Sequence, residues 1–295
     1  MKKRIRYLLS WFISCVLITL GFVRRAKKRA LKGEYILSLY YHAPGKELFE
    51  FCVLWLKKNN FKVIGQEDIL AIVKTEAPIP NGAAIITVDD GWSSNYENVA
   101  GIAHKYNVPV TIFVSTEPIE NGNYWWPYVN AAISKNLTNE TIESLKLLPN
   151  NEREKIITQI KQQVTLERQA MTVDQVKEIA KTGLVTIGGH TITHPILPKC
   201  DSGTAYQEIK LSKNIIEAWL EKEIITFAYP NGDYTQREIT FLEQSGFQLA
   251  YTTKPFLLNK EALKSPFTLP RHAIIENISH AEAICRMCGV WQRFF

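Results

Sequence analysis

Residues 83–91 read Ala-Ala-Ile-Ile-Thr-Val-Asp-Asp-Gly, an apolar, β-favouring run that stops on two adjacent carboxylates and a glycine. A continuous apolar strand of this kind belongs to a parallel sheet covered on both faces. In such α/β architectures functional groups collect at the C-terminal ends of the strands. Asp89 and Asp90 stand at such an end. Neighbouring aspartates repel, so both stay ionised near neutral pH only where a cation, a hydrogen-bond donor or solvent compensates one of them. The same residues also fit a plain loop start, with Asp90-Gly91 as a turn and an aspartate capping a helix that begins near Ser94.

About a hundred residues on, positions 185–194 read Val-Thr-Ile-Gly-Gly-His-Thr-Ile-Thr-His, a second strand-like run ending in polar groups. His190 and His194 stand four apart, a spacing that lets one helical turn or tight loop bring two imidazoles onto one metal. By itself such a pair is weak, because a chain with six histidines produces this spacing by chance. Together the two strand ends would supply an Asp/His/His ligand set and one free carboxylate.

With these blocks in hand the sequence resembles the polysaccharide deacetylases of carbohydrate esterase family 4, also called the NodB-homology domain. The family's Thr-Phe-Asp-Asp-Gly corresponds to Thr87-Val88-Asp89-Asp90-Gly91, and its His-Ser/Thr-x-x-His to His190-Thr191-Ile192-Thr193-His194. A third block is Phe227-Ala228-Tyr229-Pro230-Asn231-Gly232. The resemblance runs from about Glu34 to Ile274. It implies hydrolysis of N-acetyl groups on an amino-sugar glycan, with Asp89 as catalytic base and Asp90, His190 and His194 holding one divalent metal. Zinc suits that set, and cobalt, nickel or manganese can occupy it too. The resemblance also implies that Tyr229, Pro230 and Asn231 line the site, with a backbone N–H after the tyrosine or its equivalent stabilising the oxyanion, a role that Tyr229 takes by resemblance. Read as residues alone, Pro230-Asn231-Gly232 is a turn.

One departure concerns the acid. Commoner members carry a late Leu-x-His, and none follows the Tyr-Pro block here. A branch with permuted motifs takes its acid from an early strand reading Tyr-His, and this chain has Tyr41-His42. His42 is therefore the expected acid, with His272 of Leu-Pro-Arg-His the second candidate and Arg271 a charge at the site in contact with substrate.

Outward from these blocks, strand and helix patterns alternate from Glu34. Strands are expected near 36–41, 62–64, 84–88, 110–114, 185–189, 224–228 and 249–252, with helices between them and Gly183 and Gly246 as C-caps. Repeated seven times, this is a distorted (β/α)7 barrel with a parallel core. A segment at about 118–170 is longer than a connection needs. It holds Tyr124-Trp125-Trp126-Pro127-Tyr128, so it reads as an inserted subdomain whose Trp125 and Trp126 either stack on sugar rings or fill a small core of their own.

The chain has 295 residues, 46% of them apolar, enough for one large core. Ten of the 35 Lys and Arg lie in the first 32 residues, which hold no acid; the remainder carries 25 basic against 29 acidic residues, a balance of −4. The positive charge is thus an N-terminal feature, and nothing here describes a nucleic-acid-binding face. Tyr7 to Val23 is free of charge and flanked on both sides by Lys and Arg. We read residues 1–33 as an uncleaved membrane anchor, single-pass or monotopic, and 34–295 as the catalytic domain. A buried helix is the competing reading of that run. The more basic downstream flank and five cysteines without disulfide-framework spacing tip the domain toward the cytoplasmic side. Cys285-x-x-Cys288 reads as two small apolar residues on a last helix rather than a metal or redox pair. Two rival functions stay open on the sequence: a glycan-binding protein that has lost the chemistry, and a metal-dependent amidase acting on a non-sugar amide. Nothing in the sequence sets the oligomeric state.

Overall fold

A computed structural model describes residues 2–294, with side chains from Arg4 onward. Nine strands form among the described residues: β1 (Tyr35–Tyr41), β2 (Lys62–Val63), β3 (Ala83–Val88), β4 (Val110–Val114), β5 (Val185–Gly189), β6 (Thr226–Ala228), β7 (Leu249–Tyr251), β8 (Leu258–Asn259) and β9 (His272–Ala273). The main run is parallel in the order β7-β6-β5-β4-β3-β1, with β2 beside the start of β3 and β8 antiparallel to the start of β1. The sheet curls until its edges are joined by a single segment. Leu269 pairs with Tyr251 of β7, and His272 and Ala273 pair with Leu39 and Tyr40 of β1. The expected barrel is present in this incomplete form, completed by a few ladder pairs rather than a full strand.

Strand alternation sorts the apolar side chains into two layers. Leu37, Leu39, Ile86, Val88, Ile112 and Val114 pack with helical residues such as Phe49, Val53, Val176 and Ile209, whereas Ile36, Ile85, Phe113, Leu249 and Tyr251 cluster inside the curl. Gly188 makes room for that interior, since a Cβ there would stand 2.5 Å from the Phe113 ring.

The outer helices follow the expected positions: α3 (Lys46–Lys58), α4 (Gln66–Thr75), α5 (Gly101–Tyr106, entered through a π-helical turn at Tyr96–Ala100), α10 (Val173–Ala180), α11 (Ser202–Leu220) and α12 (Gln236–Gln244). α13 (Lys260–Leu263) and α14 (His280–Met287) complete the C-terminal part. α3 shows the logic of the layer: Phe49, Cys52, Val53 and Leu56 recur at helical spacing and are all buried.

The segment expected to be inserted is helical: α6 (Thr116–Asn121), α7 (Trp125–Ser134), α8 (Ile142–Leu147) and α9 (Asn150–Lys161). Trp125, Val129, Ala132, Leu145, Ile157 and Ile160 give it a small core of its own.

At the N-terminus the apolar run is broken at Gly21 into α1 (Lys2–Thr19) and α2 (Phe22–Leu31), bent by 64°. Among the described residues no single helix is long and apolar enough to cross a membrane. α2 belongs to the domain rather than to a separable anchor. Its Ala30 is fully buried, its Ala26 carbonyl accepts the Tyr35 hydroxyl, and the Ala30 carbonyl accepts from Gly82 N–H at the start of β3.

Candidate active site

The end of β3 delivers two carboxylates to different places because successive strand residues alternate in direction. Asp89 keeps the alternation and turns inward with Thr87. Asp90 leaves it, with φ 78 in the left-handed region, and Gly91 follows at φ 86. A side chain at Gly91 would come within 2.9 Å of Val114 Cγ1, so the tight turn over β4 requires glycine.

Asp90 Oδ1 lies 3.4 Å from His190 Nε2 and 3.4 Å from His194 Nε2. All three side chains are buried, and Oδ1 has no hydrogen-bond donor among the described residues. Atoms about 2.1 Å from one ion at a tetrahedral angle stand about 3.4 Å apart, so this spacing fits a shared divalent cation. The surroundings fit it as well. His190 Nδ1 lies 2.7 Å from the Ala228 carbonyl, which leaves Nε2 as the bare ligand atom, and the Trp92 indole N–H donates to Asp90 Oδ2 at 2.9 Å. Burial alone would raise the Asp90 carboxyl, but the two imidazoles against it outweigh that and hold it well below the usual carboxylate range. Burial lowers the pKa of His194, favouring the neutral, ligating form.

The loop carrying the histidines is tightly held. Thr191 and His194 both have positive φ, unusual for a β-branched residue above all. Glu208 of α11 offsets that strain. Its Oε2 accepts the Ile192 and Thr193 N–H groups at 2.8 and 2.9 Å, while Oε1 accepts the Thr193 hydroxyl at 2.7 Å.

Asp89 is 2% exposed and is gripped by Arg271, whose Nη1 and Nη2 donate to its two oxygens at 2.7 and 2.8 Å. Arg271 also donates to Thr87 Oγ1 and the Thr252 carbonyl and lies over the Tyr40 ring. The expectation that Arg271 contacts substrate is thereby corrected. It is fully buried inside the curl, behind Asp89, because a guanidinium there finds four oxygen acceptors and aromatic faces.

One cleft of ≈ 600 Å³ is lined by His42, Asp89, Asp90, His190 and His194 together with Trp92, Trp125, Trp126 and Asn231. His42 follows β1 and is exposed in it; its backbone is pinned by Asn95 Nδ2 donating to the His42 carbonyl. His272 does not reach the cleft. It is a β9 residue packed against Gly289, and burial, then Arg293, lowers its pKa to about 4.

The Tyr-Pro block needs two corrections. Tyr229 is buried, its hydroxyl donates to the Phe267 carbonyl and its N–H to the Tyr251 carbonyl, so neither group is free for a substrate. Pro230 is buried in the turn and carries no N–H. Asn231, at φ 54, does line the cleft, and its N–H makes no backbone hydrogen bond among the described residues.

The two tryptophans divide the alternatives left open for them. Trp125 sits in the core of the insertion and donates its indole N–H to the His194 carbonyl. Trp126 is half-buried and packs edge-on to the His194 ring. Sequence reasoning missed Trp92 and Tyr124, which stack into the same aromatic wall; the Tyr124 hydroxyl donates to the Asp90 carbonyl. Trp92 had a signal, its place directly after Asp-Asp-Gly. It also missed Glu208, for which the sequence carries none.

Fold and site together define an incomplete parallel barrel with a ligand cluster of metal-binding type at the C-terminal ends of its strands. The family model described as "Polysaccharide deacetylase" matches residues 77–250. The chain belongs to the polysaccharide deacetylase family. Among similar proteins, YxkH of Bacillus subtilis is 22% identical over 212 residues, which cover 72% of this chain and 59% of that protein. The poly-beta-1,6-N-acetyl-D-glucosamine N-deacetylase of Staphylococcus aureus is 21% identical over 244 residues, 76% of this chain and 69% of that protein. The fold is shared with the Streptococcus pyogenes deacetylase PplD solved in complex with acetate, at a TM-score of 0.64, 19% identity and coverage of 86% of this chain and 98% of that one. It is shared too with IcaB from Ammonifex degensii, at a TM-score of 0.61, 15% identity and coverage of 88% and 98%.

Proposed function

We propose that this protein removes N-acetyl groups from an amino-sugar glycan, using one divalent ion held by Asp90, His190 and His194. The observation that carries the reading is the convergence of that triad with Asp89 and His42 on one cleft. The ion, zinc on the chemistry of its donors, would supply Lewis acidity to the acetyl carbonyl and to the attacking water. Asp89 accepts the water's proton on a lone pair not used by Arg271, which keeps the carboxylate oriented. His42 donates the proton that the departing amine needs, since an amide nitrogen leaves poorly unless protonated. The Asn231 N–H, unclaimed by the backbone, is the donor offered to the developing oxyanion. Trp126 and Trp92 offer apolar ring faces to the sugar.

The sequence of the S. aureus relative, named for N-deacetylation of a β-1,6-linked N-acetylglucosamine polymer, supports a substrate of that chemical class. The test measures bound metal and acetate release together. Asp90→Ala, His190→Ala and His194→Ala should lose both. Asp89→Asn should keep metal and lose turnover by about a hundredfold or more, and His42→Ala should behave likewise. A crippled His272→Ala beside a near-normal His42→Ala would reassign the acid. Wild-type metal content in all three ligand variants would remove the centre. Acetate release from simple amides but not from glycans would favour the amidase reading, and bound metal with no turnover on either the binding-protein reading.

A further inference from the structure

α1 inverts the usual pattern of a surface helix. The side turned to the protein carries Ser10, Ser14 and Leu17. Ser14 is fully buried, and its carbonyl accepts from Cys285 of α14, while Leu17 packs with Cys285, Cys288 and Trp291. Small residues permit this close approach of two helices. The opposite side carries Ile5, Leu8, Leu9, Phe12 and Val16, continued just past the helix by Leu20, a helically spaced stripe with Leu8 53%, Phe12 60% and Leu20 63% exposed. Cations bracket the stripe: Arg4 and Arg6 at its start, and Arg24, Arg25 and Lys28, exposed and without an ion pair among the described residues, just past its end.

We infer that α1 is a monotopic docking helix. Its outward face lies in the interfacial layer of an anionic bilayer while its inner face stays on α14. An apolar stripe framed by Arg and Lys matches acyl chains beneath acidic headgroups, and Tyr7 and Trp11, both about half exposed, are the side chains that settle at such a boundary. Lying flat, the helix needs neither the length nor the straightness of a span, and α1 and α2 reach span length only as a pair bent by 64°.

The docked helix also places the active site. Tyr7 and Trp11 share a cleft with Glu47, Leu48 and residues 278–281. These follow closely on His42–Ala43 and Ile274–Glu276 of the site rim. The N-terminal half of α1 therefore stands at the mouth end of the barrel. On the deacetylase reading, on which this step rests, the substrate is a glycan held at the membrane surface.

Full-length protein freed of detergent should sediment with vesicles containing phosphatidylglycerol, and at least tenfold less with pure phosphatidylcholine. Leu8→Glu/Phe12→Glu should lose at least tenfold in partitioning with an unchanged melting temperature, because neither side chain packs on the protein. Arg24→Glu/Arg25→Glu should reduce anionic binding toward the neutral level. Should the first variant misfold, amide-exchange protection of residues 5–20 on adding vesicles to wild type reads the same docking. Indifference of the wild type to vesicles would overturn the inference, as would unimpaired binding by Leu8→Glu/Phe12→Glu. So would resistance to alkaline carbonate, which marks a span, or a dimer that this variant splits, which assigns the face to a second copy. For the substrate step, a lipid-tethered N-acetylglucosamine oligomer should turn over at least tenfold faster than the free one, an advantage lost in the same variant; equal rates would refute the placement. Docking with no acetate release from either would sink the deacetylase reading and leave the docking intact.

Discussion

Arg271 and Asp89 show how a single buried contact compensates two charges at the floor of the cleft. Neither side chain is solvated, so each is the other's compensation, and removing one partner of such a pair costs about 3–5 kcal/mol because a bare charge stays buried. Arg271→Met should lower stability by that amount in urea unfolding. The double variant Asp89→Asn/Arg271→Met should recover a large part of it, since no charge is then left unpaired. Strictly additive losses would mean that the pair is not coupled as the geometry implies. His272 gives a second prediction. Its ordinary value of 6.5 falls to about 4 in the fold, with burial the first cause. The unfolded chain therefore binds this proton more readily, and stability declines as pH drops from about 6.5 to about 4, by about 3 kcal/mol in full. His272→Leu should flatten that part of the stability profile relative to wild type. Parallel profiles for the two proteins would show that the imidazole titrates normally.

At the scale of elements, the metal-type loop is organised by a helix that touches none of its ligands. α11 begins at an Asp201 cap and presents Glu208 to two backbone N–H groups and one hydroxyl of the loop. Without it, Ile192 and Thr193 lose their acceptor and the strained φ values of Thr191 and His194 lose their restraint. Glu208→Ala should weaken zinc affinity about 10–100-fold, the usual effect of removing a group that orients ligands. Glu208→Gln should restore most of it, because its carbonyl can take both N–H groups and its amide can donate to Thr193. The readout is competition with a chromophoric chelator. Equal affinity in the alanine variant would show that the loop holds its own shape. The insertion works by the same division of labour: α7 buries Trp125 in the insertion's core at the edge of the cleft and sets the half-buried Trp126 against the His194 ring, a difference that adjacent identical residues cannot announce.

For the molecule as a whole, the N-terminal helices decide how the C-terminal ones are covered. α1 and α2 seal Cys285, Cys288, Val290 and Trp291, and α2 buries Ala26 and Ala30. Deleting residues 1–19 should therefore cost the remaining protein more than about 5 °C in melting temperature, measured by calorimetry, through the apolar surface uncovered on α14. An unchanged transition would restore the detachable anchor expected from the sequence.

The blocks around Asp89-Asp90, His190-His194 and His42 were legible because each block follows directly on a strand, and strand ends can be read from local periodicity. The parallel barrel was legible for the same reason. What periodicity could not decide was which groups reach the open cleft. Arg271, Tyr229 and Pro230 read as surface contacts but lie buried, since their partners come from strands far away in the chain. His272 and His42 are equivalent as letters, and only the pairing of β9 with β1 turns one away from the cleft. The uncharged run at 7–23 was legible as an apolar helical segment, yet which side of it meets protein was set by the distant α14. Local pattern fixes an element's type; direction and burial depend on contacts between residues hundreds of positions apart, and those exist only in the folded chain.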